Sequence, residues 1–246
     1  MNRGAFFDAA RASFGRLRQS QVDGINAILA AADGRPRSHV AYLLATAWHE
    51  TDRTMQPVRE ARAASDAQAV ARLDRAWKAG RLRQVRVPYW RVDDTGRAWF
   101  GRGYVQLTHR DNYRKAAALV GVDILGNPSL ALRADIAARV LVEGCEVGLF
   151  TGKRLADYLP GDYVGARRVV NGTDKAHTIA GYARAWEAAL TASGYSEGRV
   201  PAKPTSPSTG KKQGLQPEFG SIGWALSTLA AAVAAGVAYL WQGMGG

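Results

Sequence analysis

From Gly198 to Pro217 the chain runs mostly through Pro, Lys, Ser, Thr and Gly, as in Pro201-Ala202-Lys203-Pro204-Thr205-Ser206-Pro207-Ser208-Thr209-Gly210. Such a stretch cannot bury enough apolar surface to offset its ordering entropy, so it reads as a semi-extended linker over residues 197–220. The main folded domain must then come from residues 1–196. Beyond the linker, Ile222 to Trp241 contains no charged residue. About twenty helical residues rise about 30 Å, the thickness of a bilayer hydrocarbon core. Trp224 at one end and Tyr239 with Trp241 at the other stand where an interfacial aromatic belt belongs, and Lys211 and Lys212 precede the span. A segment detached by a linker has no core to enter, so a transmembrane helix is expected over residues 221–242, holding the protein at a membrane.

The chain has one cysteine, Cys145, so no internal disulfide can form and the fold must stand on packing. With 47% hydrophobic residues it has the material for a core. Apolar positions recur at helical spacing, which predicts helices after Ser20 to about Ala32, from about Ser38 through Trp48, from an Asp111 cap to Gly121, and from about Ala134 to Phe150. Ile179, Tyr182, Ala183, Trp186 and Leu190 mark one more. There is no βαβ alternation and no repeat, so the domain is expected to be mainly α. The N-terminus meets Asp8 and Arg11 before any long apolar run, unlike a secretory signal peptide.

A formal net charge of +12 suits polyanions: nucleic acid, anionic lipid or an acidic cell wall. The basic residues lie among apolar and acidic neighbours, and no zinc finger, basic zipper or RNA-binding signature occurs, which argues against nucleic acid.

His49-Glu50 closes the helix that begins near Ser38. Glu50 follows Leu43 by seven positions and, at about 100° per residue, falls within about 20° of it on the apolar stripe. A carboxyl pressed against a core holds its proton more firmly, as a general acid must near neutral pH. Ten residues on, Glu60 lies in the polar stretch Pro57-Val58-Arg59-Glu60, so two carboxyls sit in different settings, as acid–base chemistry requires. The structural alternative for Glu50 is a half-buried glutamate paired with an arginine, and Glu143 and Glu146 on an apolar helix are rival acids. His49 alone reads as a packing residue, and His49-Glu50-Thr51-Asp52-Arg53 lacks the second histidine of the zinc-peptidase pattern. Gly101 and Gly103 mark a turn or a close backbone approach. Trp48, Trp77, Trp90, Trp99 and Trp186 divide between the core and stacking platforms, with Trp186 in the core.

Taken in order, His49-Glu50-Thr51, Glu60, Phe100-Gly101-Arg102-Gly103-Tyr104-Val105-Gln106-Leu107-Thr108, Asn112-Tyr113, Gly121-Val122-Asp123, Asn127-Pro128 and Arg167-Arg168-Val169-Val170-Asn171-Gly172 resemble the family 19 glycoside hydrolases, chitinases and related phage endolysins. The resemblance runs from about Ser20 to Leu190. It implies a lysozyme-like, two-lobed helical domain with a substrate cleft and hydrolysis of β-1,4 links between N-acetylhexosamines. It further implies that Glu50 is the general acid, Glu60 the general base, and Thr108 a hydroxyl that helps hold the attacking water. His49, Tyr104, Gln106 and Asn171 would bind the polysaccharide. Anomeric inversion, a carboxyl separation of about 6.5–9.5 Å, and no metal or cofactor complete the expectation.

Two departures stand out. The disulfides of plant members are ruled out by the single cysteine, and the Arg-rich stretch from Ala61 to Arg97 bears little resemblance to the family. A basic domain suits an anionic wall better than neutral chitin, so peptidoglycan is the favoured substrate. Two other functions compete: a membrane-tethered wall-binding module without catalysis, and a zinc-dependent wall peptidase drawing on His39, His49 or His177.

Overall fold

The computed structural model describes residues 1–83 and 85–197, so most of the linker and the transmembrane helix expected at 221–242 lie outside the described residues. Among those described there are seven α-helices: α1 (Arg3–Phe14), α2 (Gln19–Ala31), α3 (Arg37–Glu50), α4 (Asp66–Lys78), α5 (Arg110–Val120), α6 (Ala134–Val147) and α7 (Ala176–Ala192). Extended structure is confined to β1 (Val58–Arg59) and β2 (Arg102–Gly103), paired antiparallel with Val58 opposite Gly103 and Arg59 opposite Arg102. The domain is mainly α, and no helix among the described residues is long and apolar enough to cross a membrane.

Local chemistry sets the helix ends. The Asn2 side chain accepts from the Ala5 amide at the start of α1, and Ser65 caps α4 by accepting from the Gln68 amide. Helices α5 and α6 stop at Gly121 and Gly148, both in the left-handed region at φ 64° and 79°. The predicted run to Phe150 therefore ends three residues early, because the glycine turns the chain. Asp111 is not the cap of α5; His109 occupies that position, and Asp111 lies in the first turn, where its charge complements the helix dipole.

Helix α3 is the axis of the main core, with every residue from Ser38 to Trp48 buried. Helix α7 packs along it, α1 lies against α7, and α2 lies against α6. Phe14 stacks on Trp186 at 4.3 Å between ring centroids and meets Trp48 at 4.9 Å. Two smaller cores stand apart from this one. Leu73, Leu82, Trp90 and Phe100 gather under α4 and the chain that follows it, while Trp99, Leu107, Tyr113 and Ile136 gather around α5 and α6. Burial of Trp48, Trp90, Trp99 and Trp186 removes all four as stacking platforms.

The chain leaving α3 is held from below by α2. Gln21 donates its Nε2 to the Arg53 carbonyl at 2.7 Å, and Gln56 donates to the Ser20 carbonyl at 2.5 Å. A Cβ at Gly24 would lie 1.7 Å from the Met55 carbonyl oxygen, so only glycine permits this approach. Gly24→Ala is expected to force the turn off α2 and lower stability by about 1–3 kcal/mol, read as an earlier urea midpoint.

Candidate active site

Glu50, the last residue of α3, does not sit in the apolar seat its helical position suggests. Arg167 Nη1 donates to its Oε1 at 2.6 Å, with the two side chains 3% and 14% exposed. The alternative of a half-buried glutamate paired with an arginine is therefore what the fold supplies. Arg167 comes from a 3-10 turn, Gly165–Val169, and its Nε donates to the Asp174 carbonyl at 3.1 Å. Beside the pair, burial holds the His49 imidazole below its ordinary value, with the Glu50 charge opposing and the Arg167 charge reinforcing the shift.

Glu60 begins a short 3-10 turn, Glu60–Arg62, directly after β1. Its carboxyl is 5% exposed and accepts from the Gly101 amide and the Tyr89 hydroxyl, each at 2.6 Å. In return the Glu60 amide donates to the Gly101 carbonyl at 2.7 Å, so the residue is fastened at both backbone and side chain. Burial raises its pKa above the ordinary glutamate value; the Gly101 amide, the Tyr89 hydroxyl and the Arg102 charge pull against that rise without cancelling it. Arg102 is itself buried, 3.6 Å from the Phe100 ring centroid, and pairs with Asp66 at 2.8 Å.

The two carboxyl-bearing turns are joined through Arg62, which donates to the Thr51 carbonyl at 3.4 Å and lies 3.9 Å from Asp52. The backbone around them is strained. Eight non-glycine residues among those described have positive φ: Asp52, Arg53 and Met55 after Glu50, Ala61 and Arg62 after Glu60, Gln106 and His109 on the segment that follows β2, and Lys175 after Asp174. Each such residue costs about 1–3 kcal/mol and persists only where surrounding contacts impose it, and such strain gathers at functional sites. Every one of the eight lies in a segment that carries or braces Glu50, Glu60 or Arg167.

The remaining expected residues divide. Gln106 donates to the Val58 carbonyl at 3.2 Å and packs on Gly101, where an added Cβ would lie 2.7 Å from its Oε1 and push the amide aside. Thr108 is buried, and its hydroxyl has no hydrogen-bond partner among the described residues. Asn171 follows the Arg167 turn, buried, with its Oδ1 accepting from the Gly172 amide at 2.8 Å. Tyr104 must be corrected: it is fully buried in the main core, its hydroxyl donating to the Met55 carbonyl at 3.3 Å, so it braces the turn after α3 from within and presents no face to a sugar.

The rival groups are placed elsewhere. Glu143 pairs with Arg35 at 2.7 Å and Glu146 with His39 at 2.8 Å. His39 stands near the opposite end of α3, about 16 Å from Glu50 at 1.5 Å rise per residue. By the same rise His39 and His49 are about 15 Å apart, too far to share a metal ion, and His177 is exposed. A cavity of about 610 Å³ opens among Asp66, Val70, Arg97, Arg102, Asn127 and Pro128, and neither Glu50 nor Glu60 lines it.

Tyr89 was not legible as a site residue. It lies in the Arg-rich stretch, and its only signal is the aromatic pair Tyr89-Trp90 following Pro88. Arg167 was visible inside a motif, but its partner is 117 residues away in the chain.

Comparison with known proteins bears on the first part of this site. The family model for chitinase class I, glycoside hydrolase family 19, matches residues 26–140. That range contains Glu50, Glu60, Tyr89, Gly101, Gln106 and Thr108 and ends before Arg167 and Asn171. Chitinase C from Streptomyces griseus HUT6037 is 17% identical over 78% of this chain and 77% of that one, with a TM-score of 0.47.

Proposed function

We propose that the chain is an inverting glycoside hydrolase that cleaves β-1,4 links between N-acetylhexosamines, in peptidoglycan in preference to chitin. The observation that carries the reading is two carboxyls in unlike surroundings, Glu50 on a guanidinium and Glu60 in a buried cradle, joined through Arg62 and set in strained backbone. The family match over residues 26–140 supports it. Glu50 protonates the departing glycosidic oxygen, Glu60 takes a proton from water on the other side of the sugar, and the unpartnered Thr108 hydroxyl holds that water. Inversion follows when a water fits between the carboxyls, at about 6.5–9.5 Å.

One observation favours a second reading with the roles exchanged: Glu60 is the carboxyl whose proton burial favours. Glu60 would then donate the proton and Glu50 would activate the water. An aryl glycoside with a weakly basic leaving group separates the two, because its departure needs little protonation. Under the first reading Glu50→Gln keeps activity on that substrate and Glu60→Gln does not; under the second the pattern reverses. Reducing-sugar release from peptidoglycan and from chitin, with NMR of the first anomer formed, tests the reaction itself. A first product of β configuration would contradict inversion, and release from neither polymer would remove the hydrolase reading.

Tyr89→Phe gives a further test. Losing the hydroxyl removes one pull that lowers the Glu60 pKa, so that pKa climbs. With Glu60 as base, the acidic limb of the pH–rate profile moves to higher pH; with Glu60 as acid, the alkaline limb does.

The uncharged stretch from Ile222 to Trp241 is proposed to anchor the protein in a membrane. The full chain is expected to pellet with membranes after carbonate washing and a truncation after Gly198 is not; full-length protein left in the supernatant without detergent would sink the anchor.

A further inference from the structure

The stretch of chain that carries Tyr89 is also the most basic part of the molecule. Between Arg72 and Arg91 there are seven basic side chains and one acid, Asp74, half of the whole chain's net +12 in twenty residues. The lone acid is already engaged, by Arg91 at 3.0 Å and by the Trp90 indole at 2.7 Å. Arg75, Arg81 and Arg86 are exposed and have no hydrogen-bond or ion-pair partner among the described residues. Arg72 and Arg83, also exposed, donate only to main-chain carbonyls, which leave their charge unneutralised. These arginines alternate along the chain with the buried Leu73, Leu82, Val85 and Trp90 of the small core, so a folded platform presents them. Arg86 stands three residues before Tyr89, at most about 11 Å along an extended chain, and the Tyr89 hydroxyl touches Glu60.

A neutral glycan gives such a surface nothing to pair with. Peptidoglycan does, because alternate sugars carry peptide stems whose free carboxylates project from the strand. We infer that the Arg72–Arg91 surface docks the stem-peptide carboxylates of the peptidoglycan strand lying beside Glu60, and so selects an acidic wall polymer over neutral chitin. This rests on the glycoside hydrolase reading for its placement beside a cleavage site. Guanidinium forks suit carboxylates, and at about 0.1 M ionic strength the Debye length is about 10 Å, so a docked carboxylate feels the cluster while distant charge does not.

The test compares the full-length chain with the triple variant Arg75→Gln, Arg81→Gln, Arg86→Gln, none of which is placed in the catalytic machinery. Co-sedimentation is measured on teichoic-acid-free peptidoglycan, on the same material after amidase removal of its stems, and on chitin. Wild type is expected to sediment on stem-bearing peptidoglycan about tenfold more tightly than the variant, the sum of three modest exposed ion pairs, with that difference fading as salt rises. On stripped glycan and on chitin the two proteins should sediment alike. Equal sedimentation of both on stem-bearing peptidoglycan would overturn the inference, as would an equal loss on chitin or retention on duplex DNA as strong as on the wall. Sedimentation needs no turnover, so an inactive wild type would fail the hydrolase reading and still decide this one. If wild type is active, the variant should hydrolyse a chitin oligosaccharide at the wild-type rate; slower hydrolysis there would assign these arginines to the cleft and overturn the inference.

Discussion

Glu50→Gln is expected to lower turnover by at least about 10²-fold, since positioned proton transfer contributes about 10²–10⁴. The same change should lower the melting temperature. Arg167 is 3% exposed and has the Glu50 carboxylate as its charged partner, with a single carbonyl at Nε besides. An amide can still accept the hydrogen bond but leaves the buried guanidinium without a counter-charge, at a cost of about 1–3 kcal/mol. Steady-state rates on peptidoglycan and a thermal melt of one preparation check both halves. Retention of more than half the activity would remove Glu50 from the chemistry, and an unchanged melt would mean the ion pair contributes little.

Glu60→Gln should abolish turnover to a similar degree and yet raise the melting temperature at neutral pH. Burial gives Glu60 a higher pKa in the folded chain than in the unfolded one, opposed only in part by Gly101, Tyr89 and Arg102. Its stabilising contribution is therefore complete below the ordinary glutamate range and is lost as pH rises through the raised folded value. Above the ordinary glutamate value the buried carboxyl is therefore a cost to folding, and a neutral isostere removes it. The glutamine oxygen can take the Gly101 amide proton, while its amide nitrogen donates to the Tyr89 oxygen. The gain should vanish near about pH 4, where the native carboxyl is protonated as well. A variant that melts lower than wild type at neutral pH would contradict this. Opposite signs in the two melts, with equal losses of activity, would be the signature of two carboxyls doing different work.

Much of the scaffold was legible because helical periodicity and glycine stops are local signals. The ends of α2, α3 and α5 fall within a few residues of where apolar spacing and Gly121 put them. The surroundings of Glu50 were not legible, because a stripe position tells which way a side chain points and not what long-range partner waits there. Leu43 and Glu50 do share a face, yet Arg167 arrives from far along the chain to fill it. Tyr104 shows the reverse failure. Its place in a motif implied contact with ligand, whereas the fold uses its ring as core and its hydroxyl as a brace for Met55. Tyr89 could be found only in three dimensions, since its neighbours in sequence speak of charge and its function lies in one hydrogen bond to Glu60.

The small core beneath α4 sets a lifetime. It closes over few large side chains, chiefly Leu73, Leu82, Trp90 and Phe100, while α3, α1 and α7 share a far larger one. Apolar burial scales with area, so this unit opens at a lower free energy than the rest, and amides between Ala69 and Trp90 should exchange with deuterated solvent well before those of α3. Each opening carries Tyr89 away from Glu60 and lets water reach the cradle. On warming, competence at the site would fade while the helical signal of the main core is still intact, and it would return on cooling. A protein built this way loses competence at the site by a reversible local event, and stiffening residues 66–90 would extend its working range more than any repair to the large core.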